Sequence, residues 1–141
     1  MSRKTAREVA MKLAFARLFG CEDTYGAVLD KSGITETPKP DDVKFADELL
    51  CGVEEKKEEI DGLISEFAVD WTIERMPKVD LSILRIAVYE IMYRCDIPDS
   101  VSINEAVELA KKYEGEKTPG FINGILNASA DDLGLKNDDA K

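Results

Sequence analysis

The sequence contains no histidine, and this absence argues against several classes of enzyme. Without an imidazole there is no Ser-His-Asp or Cys-His catalysis, no histidine-ligated zinc and no side chain whose ordinary pKa lies near neutrality. The glycine-rich phosphate-binding patterns GxxxxGK[ST] and GxGxxG do not occur either. We therefore expect a binding protein without catalytic residues, cofactor or metal ion.

Cysteine is scarce and is not arranged for chemistry. Cys21, Cys51 and Cys95 are far apart and show neither a CxxC pair nor the spacing of zinc ligands. We expect reduced thiols that are buried or half-buried.

Long apolar runs are also missing from the chain. No segment approaches the ~20 residues of a membrane span, and the first residues lack the apolar core of a signal peptide. The protein is expected to be cytoplasmic and to make no contact with a membrane.

The chain has the length for one core and an uneven distribution of charge. Its 141 residues predict a single domain, which we place at residues 1–135 and follow with a disordered tail at residues 136–141. The net charge is −10, yet residues 1–20 contain five basic side chains and one acidic one. A basic segment on an acidic body indicates an anionic ligand at one end and a basic partner elsewhere.

The apolar residues recur with helical spacing, which predicts an all-α protein of six or seven helices. Residues 2–19 form the first helix, with its basic residues on the side opposite the apolar stripe. A weakly signalled helix at residues 25–31 is followed by a loop at residues 35–42. The next helix begins near Asp41 or Asp42, and a break near residues 61–62 separates it from a further helix.

The second half of the chain contains the most apolar segment, residues 79–92, which Pro77 opens. Apolar side chains surround nearly the whole of this helix, so it is predicted to be central and buried. Arg85 and Glu90 lie inside it and are expected to form buried or half-buried ion pairs that fix the helix packing.

Local sequence signals predict where the last two helices begin. Ser102 and Glu105 have the S-x-x-E spacing of a capping box at a helix start. Thr118 followed by Pro119 predicts an N-cap and first position for the last helix, which extends to about residue 133.

Three blocks of sequence, in this order, resemble the NusB family. They are RKTAREVAMKLAFARL, VDLSILRIAVYEIMYRCDIPDSVSINEAVELAKKY and FINGILN. The first resembles the family's arginine-rich first helix. The second resembles its LRIA.YE……P..VAINEA.ELAK signature, which is the most specific of the three, and the third resembles its F-[VI]-N-G-[VI]-L block.

The resemblance implies a compact helical bundle of two packed subdomains. It also implies binding of single-stranded boxA RNA jointly with the small-subunit ribosomal protein NusE. In the family this occurs within an RNA polymerase elongation complex with other Nus factors, which then ignores terminators, notably on ribosomal RNA operons. Family members occur as monomers and as dimers, so the resemblance does not decide whether this protein forms a homodimer.

By their match to the arginine-rich helix, Arg3, Lys4 and Arg7 are the first candidates for RNA contact, and Lys12 is the next. Guanidinium and ammonium groups on one helical face bind phosphates, and arginine also stacks on unpaired bases. The alternative is a charged face that meets only solvent.

The aromatic and amide candidates each have a structural alternative. Phe15 lies where the family often has an aromatic residue near the RNA, and Phe121 is assigned to the same surface, but both are also expected as packing residues. Asn123 is either an RNA contact or a helix-packing position. Asn127 stands where family members often carry aspartate, so it removes a negative charge beside the RNA surface.

Asp80 and Phe67 are the candidates for contact with the partner protein. Asp80 matches an acidic position of the family on the side that receives NusE, where a carboxylate would pair with a basic side chain. A solvated surface is the alternative for Asp80, and core packing is the alternative for Phe67.

Two other functions remain open from the sequence. The chain is alternatively a helical protein–protein adaptor with little RNA binding of its own, which its net negative charge favours. NusB-like domains also begin some RNA cytosine methyltransferases, but this sequence contains no cofactor-binding region, so we do not expect an enzyme.

Overall fold

The computed structural model describes residues 3–20, 39–68, 72–115 and 119–139, and every regular element within these ranges is an α-helix. The helices are α1 Arg3–Leu18, α2 Pro40–Glu55, α3 Lys57–Phe67, α4 Lys78–Tyr93, α5 Asp99–Glu114 and α6 Pro119–Asp139. The all-α prediction is confirmed. The helix predicted at residues 25–31 and most of the loop at 35–42 lie outside the described ranges. None of these six helices is long and apolar enough to cross a membrane.

Helix α4 is the central element, as its sequence predicts. It contacts each of the other five described helices. Its buried side chains point in all directions and include Leu81, Ile83, Leu84, Ile86, Ala87 and Val88. Helices α1 and α2 pack together on α4 as one group, and α3, α5 and α6 pack on it as the other. Each fully buried leucine or isoleucine stabilises this arrangement by roughly 1.5–3 kcal/mol.

Two ion pairs hold α4 against its neighbours, as predicted for Arg85 and Glu90. Glu90 accepts hydrogen bonds from Nε and Nη2 of Arg7 on α1 at 3.0 and 2.8 Å and from the Ser102 hydroxyl on α5 at 3.2 Å. Arg85 donates from Nε and Nη2 to the two carboxylate oxygens of Asp61 on α3, both at 2.9 Å. Because guanidinium and carboxylate groups are planar, such paired bonds orient the helices as well as joining them.

The division between α2 and α3 lies at Lys56, where φ and ψ of −107° and 20° leave the helical region. The predicted break near residues 61–62 is therefore wrong, and Gly62 lies inside α3. One glycine costs a helix about 1 kcal/mol relative to alanine, which does not end it by itself. Leu63 and Ile64 beside it are buried and hold α3 on the core.

Helix α5 begins at Asp99, one residue after Pro98, so the predicted capping box is wrong. Ser102 lies within the helix and is buried. Its hydroxyl donates to the buried Glu90 carboxylate of α4. Because Ser102 lies within the helix, the backbone N–H groups near it already belong to the helix and need no cap.

The last helix begins at Pro119 as predicted, and it continues to Asp139. The predicted end at residue 133 is therefore too early. The segment 136–141 that was expected to be a tail overlaps the end of α6, and residues 140–141 lie outside the described ranges, as does Thr118.

Two of the three cysteines are free and exposed, which corrects the expectation of buried thiols. Cys51 lies on α2 and Cys95 lies in the turn after α4. Cys21 lies outside the described ranges.

Helix α2 approaches α4 so closely at Gly52 that no side chain fits there. A Cβ atom at position 52 would lie 2.1 Å from Cζ of Tyr89. At Gly62 on α3 a Cβ atom would meet nothing within 4 Å. Glycine is therefore needed for packing at position 52, whereas at position 62 it only lowers helix propensity.

We predict opposite effects of alanine at these two glycines. Gly52→Ala should lower the free energy of unfolding by about 1–3 kcal/mol, because the Tyr89 ring must move to admit the methyl group. Gly62→Ala should raise it by about 0.5–1 kcal/mol through helix propensity. Urea unfolding of both variants measures these changes, and equal stabilisation by both would show that α2 and α4 are not in close contact at Gly52.

Candidate nucleic-acid interface

The basic residues of α1 do not share one surface, because the middle of this helix is buried. Arg3 and Lys4 are exposed in the first turn, and Lys12 is half-buried two turns later. Between them α1 packs on α2 and α4 through small and apolar side chains: Ala6, Val9, Ala10 and Leu13. Only the two ends of the basic segment therefore face solvent.

Arg7 lies in the core, and the prediction that it shares the solvent-facing side with Arg3 and Lys4 is wrong. Its side chain is 6% exposed, and its guanidinium binds the Glu90 carboxylate. The partner is 83 positions away in sequence, so no local pattern could identify it. Arg7 fixes α1 on α4 and has no free surface for a phosphate.

Arg3 belongs to a cluster of three arginines around the ring of Phe45 on α2. The guanidinium carbons of Arg3, Arg7 and Arg94 lie 4.5, 5.3 and 5.2 Å from the ring centroid. Asp96 binds Arg94 at 3.0 and 3.1 Å and lies 3.8 Å from Arg3. The hydrogen bonds from Arg94 lower the pKa of Asp96. These contacts position Arg3 while leaving 52% of its side chain exposed.

Further along α1, Lys12 meets the C-terminal end of α5. The ammonium groups of Lys12 and Lys112 lie 5.2 and 5.6 Å from the ring centroid of Tyr113. Glu8, one turn before Lys12, accepts hydrogen bonds from the Lys112 ammonium and the Tyr113 hydroxyl. Burial acts to raise the pKa of Glu8, but these hydrogen bonds and the two lysine charges outweigh it, so the pKa is lowered.

Sequence reasoning missed Lys112 and Tyr113. The available signal was weak: two lysines beside an aromatic residue at the end of a helix. Because α5 has no basic segment like that of α1, only the fold shows that its last turn lies beside Lys12.

The three aromatic candidates are all half-buried. The ring of Phe15 lies 5.1 Å from that of Phe19, centroid to centroid, and Phe19 is 66% exposed. Phe67 and Phe121 pack against the core. Phe67 and Phe121 thus have a packing role, whereas Phe15 contacts Phe19, whose ring leaves aromatic surface in solvent.

Asn123 and Asn127 are exposed and lie one turn apart on α6. The side-chain nitrogen of Asn127 donates to the backbone oxygen of Asn123 at 2.8 Å and to its side-chain oxygen at 2.9 Å. An aspartate at position 127 could not donate these bonds at neutral pH. Asparagine at position 127 therefore fixes the orientation of its neighbour's amide.

Asp80 is buried, which corrects its prediction as a surface carboxylate that meets the partner. It lies in the first turn of α4, is 2% exposed and has an Oδ1 atom without a hydrogen-bond partner among the described residues. Burial, together with the hydrogen bond and negative charge of Glu114, raises the pKa of Asp80 to about 8. Asp80 therefore retains its proton at neutral pH, between α4 and the end of α5.

The described part of the chain is an all-α protein with exposed cations at the start of α1 and exposed amides on α6. The comparison with known proteins identifies the family. The sequence profile of the NusB family matches residues 4–131. The transcription antitermination protein NusB of Clostridium botulinum (strain Loch Maree / Type A3) is 43% identical over 137 residues, covering 89% of this chain and 97% of that protein. The chain belongs to the NusB family.

Solved structures agree with this assignment. T. maritima NusB superposes with a TM-score of 0.78 at 33% identity, over 93% of this chain and 92% of that one. A chain from a crystal structure of the antitermination factors NusB and NusE in complex with dsRNA gives a TM-score of 0.75 at 28% identity. The match covers 92% of this chain and 96% of that one. The resemblance seen in the sequence is confirmed.

We predict that Arg7 contributes to stability through its pairing in the core. Arg7→Met should lower the free energy of unfolding by about 3–5 kcal/mol, because Glu90 is left buried without its partner. Lys4→Met, at an exposed position of the same helix, should change it by less than about 0.5 kcal/mol. Chemical denaturation compares the two, and a loss at Arg7 no larger than that at Lys4 would contradict the buried pair.

The Asp80–Glu114 pair predicts a dependence of stability on pH. Because the folded-state pKa of Asp80, about 8, lies above its ordinary 3.8, the protonated form contributes its full stabilisation below pH 3.8. This contribution is lost as the pH rises through 8. The stability of Asp80→Asn relative to the natural chain should therefore increase from pH 5 to pH 8.5.

Urea unfolding across this pH range measures that difference for Asp80→Asn. Asp47→Asn, at an exposed position of α2, is the matched control. A difference that is constant with pH, or one that grows equally for Asp47→Asn, would show that Asp80 does not retain its proton.

Proposed function

We propose that this protein is a transcription antitermination factor. In this proposal it binds boxA-type RNA together with the ribosomal protein NusE and, with other Nus factors, makes RNA polymerase ignore terminators, notably on ribosomal RNA operons. The observation that carries the proposal is the match to the NusB family over residues 4–131. A similar chain was crystallised with NusE and dsRNA, which supports NusE and RNA as the two binding partners in this proposal.

The proposed RNA contacts come from the exposed residues of α1 and α6. Arg3 and Lys4 supply the charges that meet phosphates, because their side chains face solvent at the start of α1. Asn123 and Asn127 supply amides, which can donate to and accept from the exposed edges of unpaired bases. Arg7 acts indirectly, since it holds α1 in place through Glu90.

Further along α1, Lys12 and Phe15 extend the proposed surface. Lys12 contributes a cation beside α5. Phe15 contributes an aromatic ring with the exposed Phe19, and such rings are sequence-tolerant stacking partners for bases. Phe121 is proposed to contact RNA only through the part of its ring that the core leaves uncovered.

The role of NusE in this proposal follows from charge. A body with a net charge of −10 repels a polyanion beyond the basic end of α1. The densest exposed acidic groups surround the junction of α2 and α3: Glu54, Glu55, Glu58 and Glu59. A basic protein docked on such a surface would reduce the repulsion and add RNA contacts of its own. Phe67, at the end of α3, is a proposed contact for this partner.

We also propose that the protein acts by binding alone and works in the cytoplasm, beside nascent RNA. The alternative is a protein–protein adaptor that binds NusE but has little affinity for RNA. The acidic body favours the adaptor, while the exposed cations of α1 favour RNA binding.

We predict that NusE and RNA bind this protein cooperatively. Fluorescence anisotropy on single-stranded boxA-like RNA should give an affinity that saturating NusE raises by ~1–3 kcal/mol, and RNA must strengthen NusE binding equally.

Lys4→Gln should weaken RNA binding and lower the slope of log K against log salt by ~0.7, because one phosphate contact is lost.

A duplex of the same sequence serves as the second ligand, and circular dichroism of Lys4→Gln confirms its folding. RNA binding that is absent both with and without NusE would refute the proposed function. Tight NusE binding that leaves RNA affinity unaltered would support the adaptor instead.

A further inference from the structure

We propose that the C-terminal end of α5 forms a nucleotide subsite within the RNA surface. Lys112 of α5 and Lys12 of α1 bind a backbone phosphate, and the exposed part of the Tyr113 ring stacks on an adjacent base. The inference rests on the proposed function and identifies a part of the RNA surface that lies outside the basic segment of α1.

The position of this subsite joins the two halves of the proposed surface. Helices α1 and α6 pack mainly on other helices rather than on each other. The last turn of α5 lies beside Lys12 through Tyr113. Helix α6 begins at Pro119, five residues after α5 ends at Glu114, so its first turns lie near the same end of α5. An RNA strand that runs from α1 to α6 would therefore cross Lys112 and Tyr113.

The cluster attracts an anion because its positive group is more exposed to solvent than its carboxylate. The carboxylate of Glu8 lies beneath the Lys112 ammonium: the Glu8 side chain is only 10% exposed, whereas that of Lys112 is 58% exposed. The ammonium group of Lys12 lies on the same aromatic ring as that of Lys112. Solvent therefore meets the Lys112 ammonium before the Glu8 carboxylate, which holds this ammonium in place.

The ring of Tyr113 is held in position for stacking. Its hydroxyl donates to Glu8. Burial and this hydrogen bond raise the pKa of Tyr113, so the hydroxyl remains a donor. The ring is fixed at its hydroxyl end, and 36% of the residue is exposed. A base can therefore stack on it without the entropic cost of ordering the side chain. A fixed ring between two cations fits a nucleotide better than a polyglutamate peptide, which offers no aromatic ring to stack.

The test compares neighbouring lysines of the same helix. Lys112→Gln should weaken binding of single-stranded boxA-like RNA about three- to tenfold and lower the salt slope by ~0.7. Lys111→Gln is the matched control, since Lys111 is 54% exposed and lies 3.7 Å from Glu108 on its own helix. It should change affinity less than about twofold, and equal effects of the two variants would overturn the subsite.

Two further variants separate RNA binding from a purely structural link between α1 and α5. Tyr113→Leu should weaken RNA binding about fivefold or more, and Tyr113→Phe should retain more of the affinity because it keeps the ring. Glu8→Gln keeps an oxygen that can accept from Tyr113 but removes the ion pair with Lys112, so it reports on the structural link alone and should weaken RNA binding less than Lys112→Gln does. If both variants lower RNA affinity in proportion to a loss of free energy of unfolding, the contact is structural only and the proposal is wrong.

The outcomes also distinguish this inference from the proposed function. Loss of affinity in Lys4→Gln, together with equal affinities of Lys112→Gln and Lys111→Gln, would overturn the subsite alone. A natural chain that does not bind RNA with or without NusE would overturn both proposals. A fluorescent polyglutamate peptide is the protein-like probe, and Lys112-dependent binding of this peptide without Lys112-dependent binding of RNA would also overturn the subsite.

Discussion

The buried carboxylate of Glu90 is the constraint on which the placement of α1 depends. Glu90 is 1% exposed and belongs to α4, the most apolar helix of the chain. An unpaired charge at such a buried position would cost several kcal/mol. Arg7 supplies two charge-assisted hydrogen bonds and Ser102 supplies a third. One charged group thereby joins α1, α4 and α5. Apolar packing alone would let α1 rotate or slide at modest cost, whereas paired hydrogen bonds permit one orientation.

That orientation decides which basic residues reach the surface. With Arg7 directed into the core, Arg3 lies at the rim beside Phe45 and Lys4 lies in solvent. Glu8 then faces the last turn of α5, where it binds Lys112. The basic segment at the start of the sequence therefore has three kinds of charged group: a structural cation, surface cations and one carboxylate that lies beneath a second cationic cluster.

Much of the fold could be predicted from the sequence, because its signals are local. The all-round apolar pattern and Pro77 predicted α4 and its central position, and Pro119 predicted the start of α6. The site was predicted less well, because its partners are remote. Arg7 and Asp80 were expected at the surface, but their partners lie on other helices, 83 residues away for Glu90 and on α5 for Glu114. Ser102 is not a cap because it lies within α5, which begins at Asp99.

The end of α5 combines structural and binding roles in consecutive residues. Lys112 and Tyr113 bind Glu8 on α1, and Glu114 helps to raise the pKa of Asp80 on α4. The proton on Asp80 removes one negative charge from this end of the protein at neutral pH, close to where the proposed RNA strand crosses from α1 to α6. A carboxylate pair that was fully ionised would add repulsion for phosphate and separate α4 from α5. Keeping one of the two carboxyl groups protonated thus favours helix packing and reduces the repulsion of RNA at the same time.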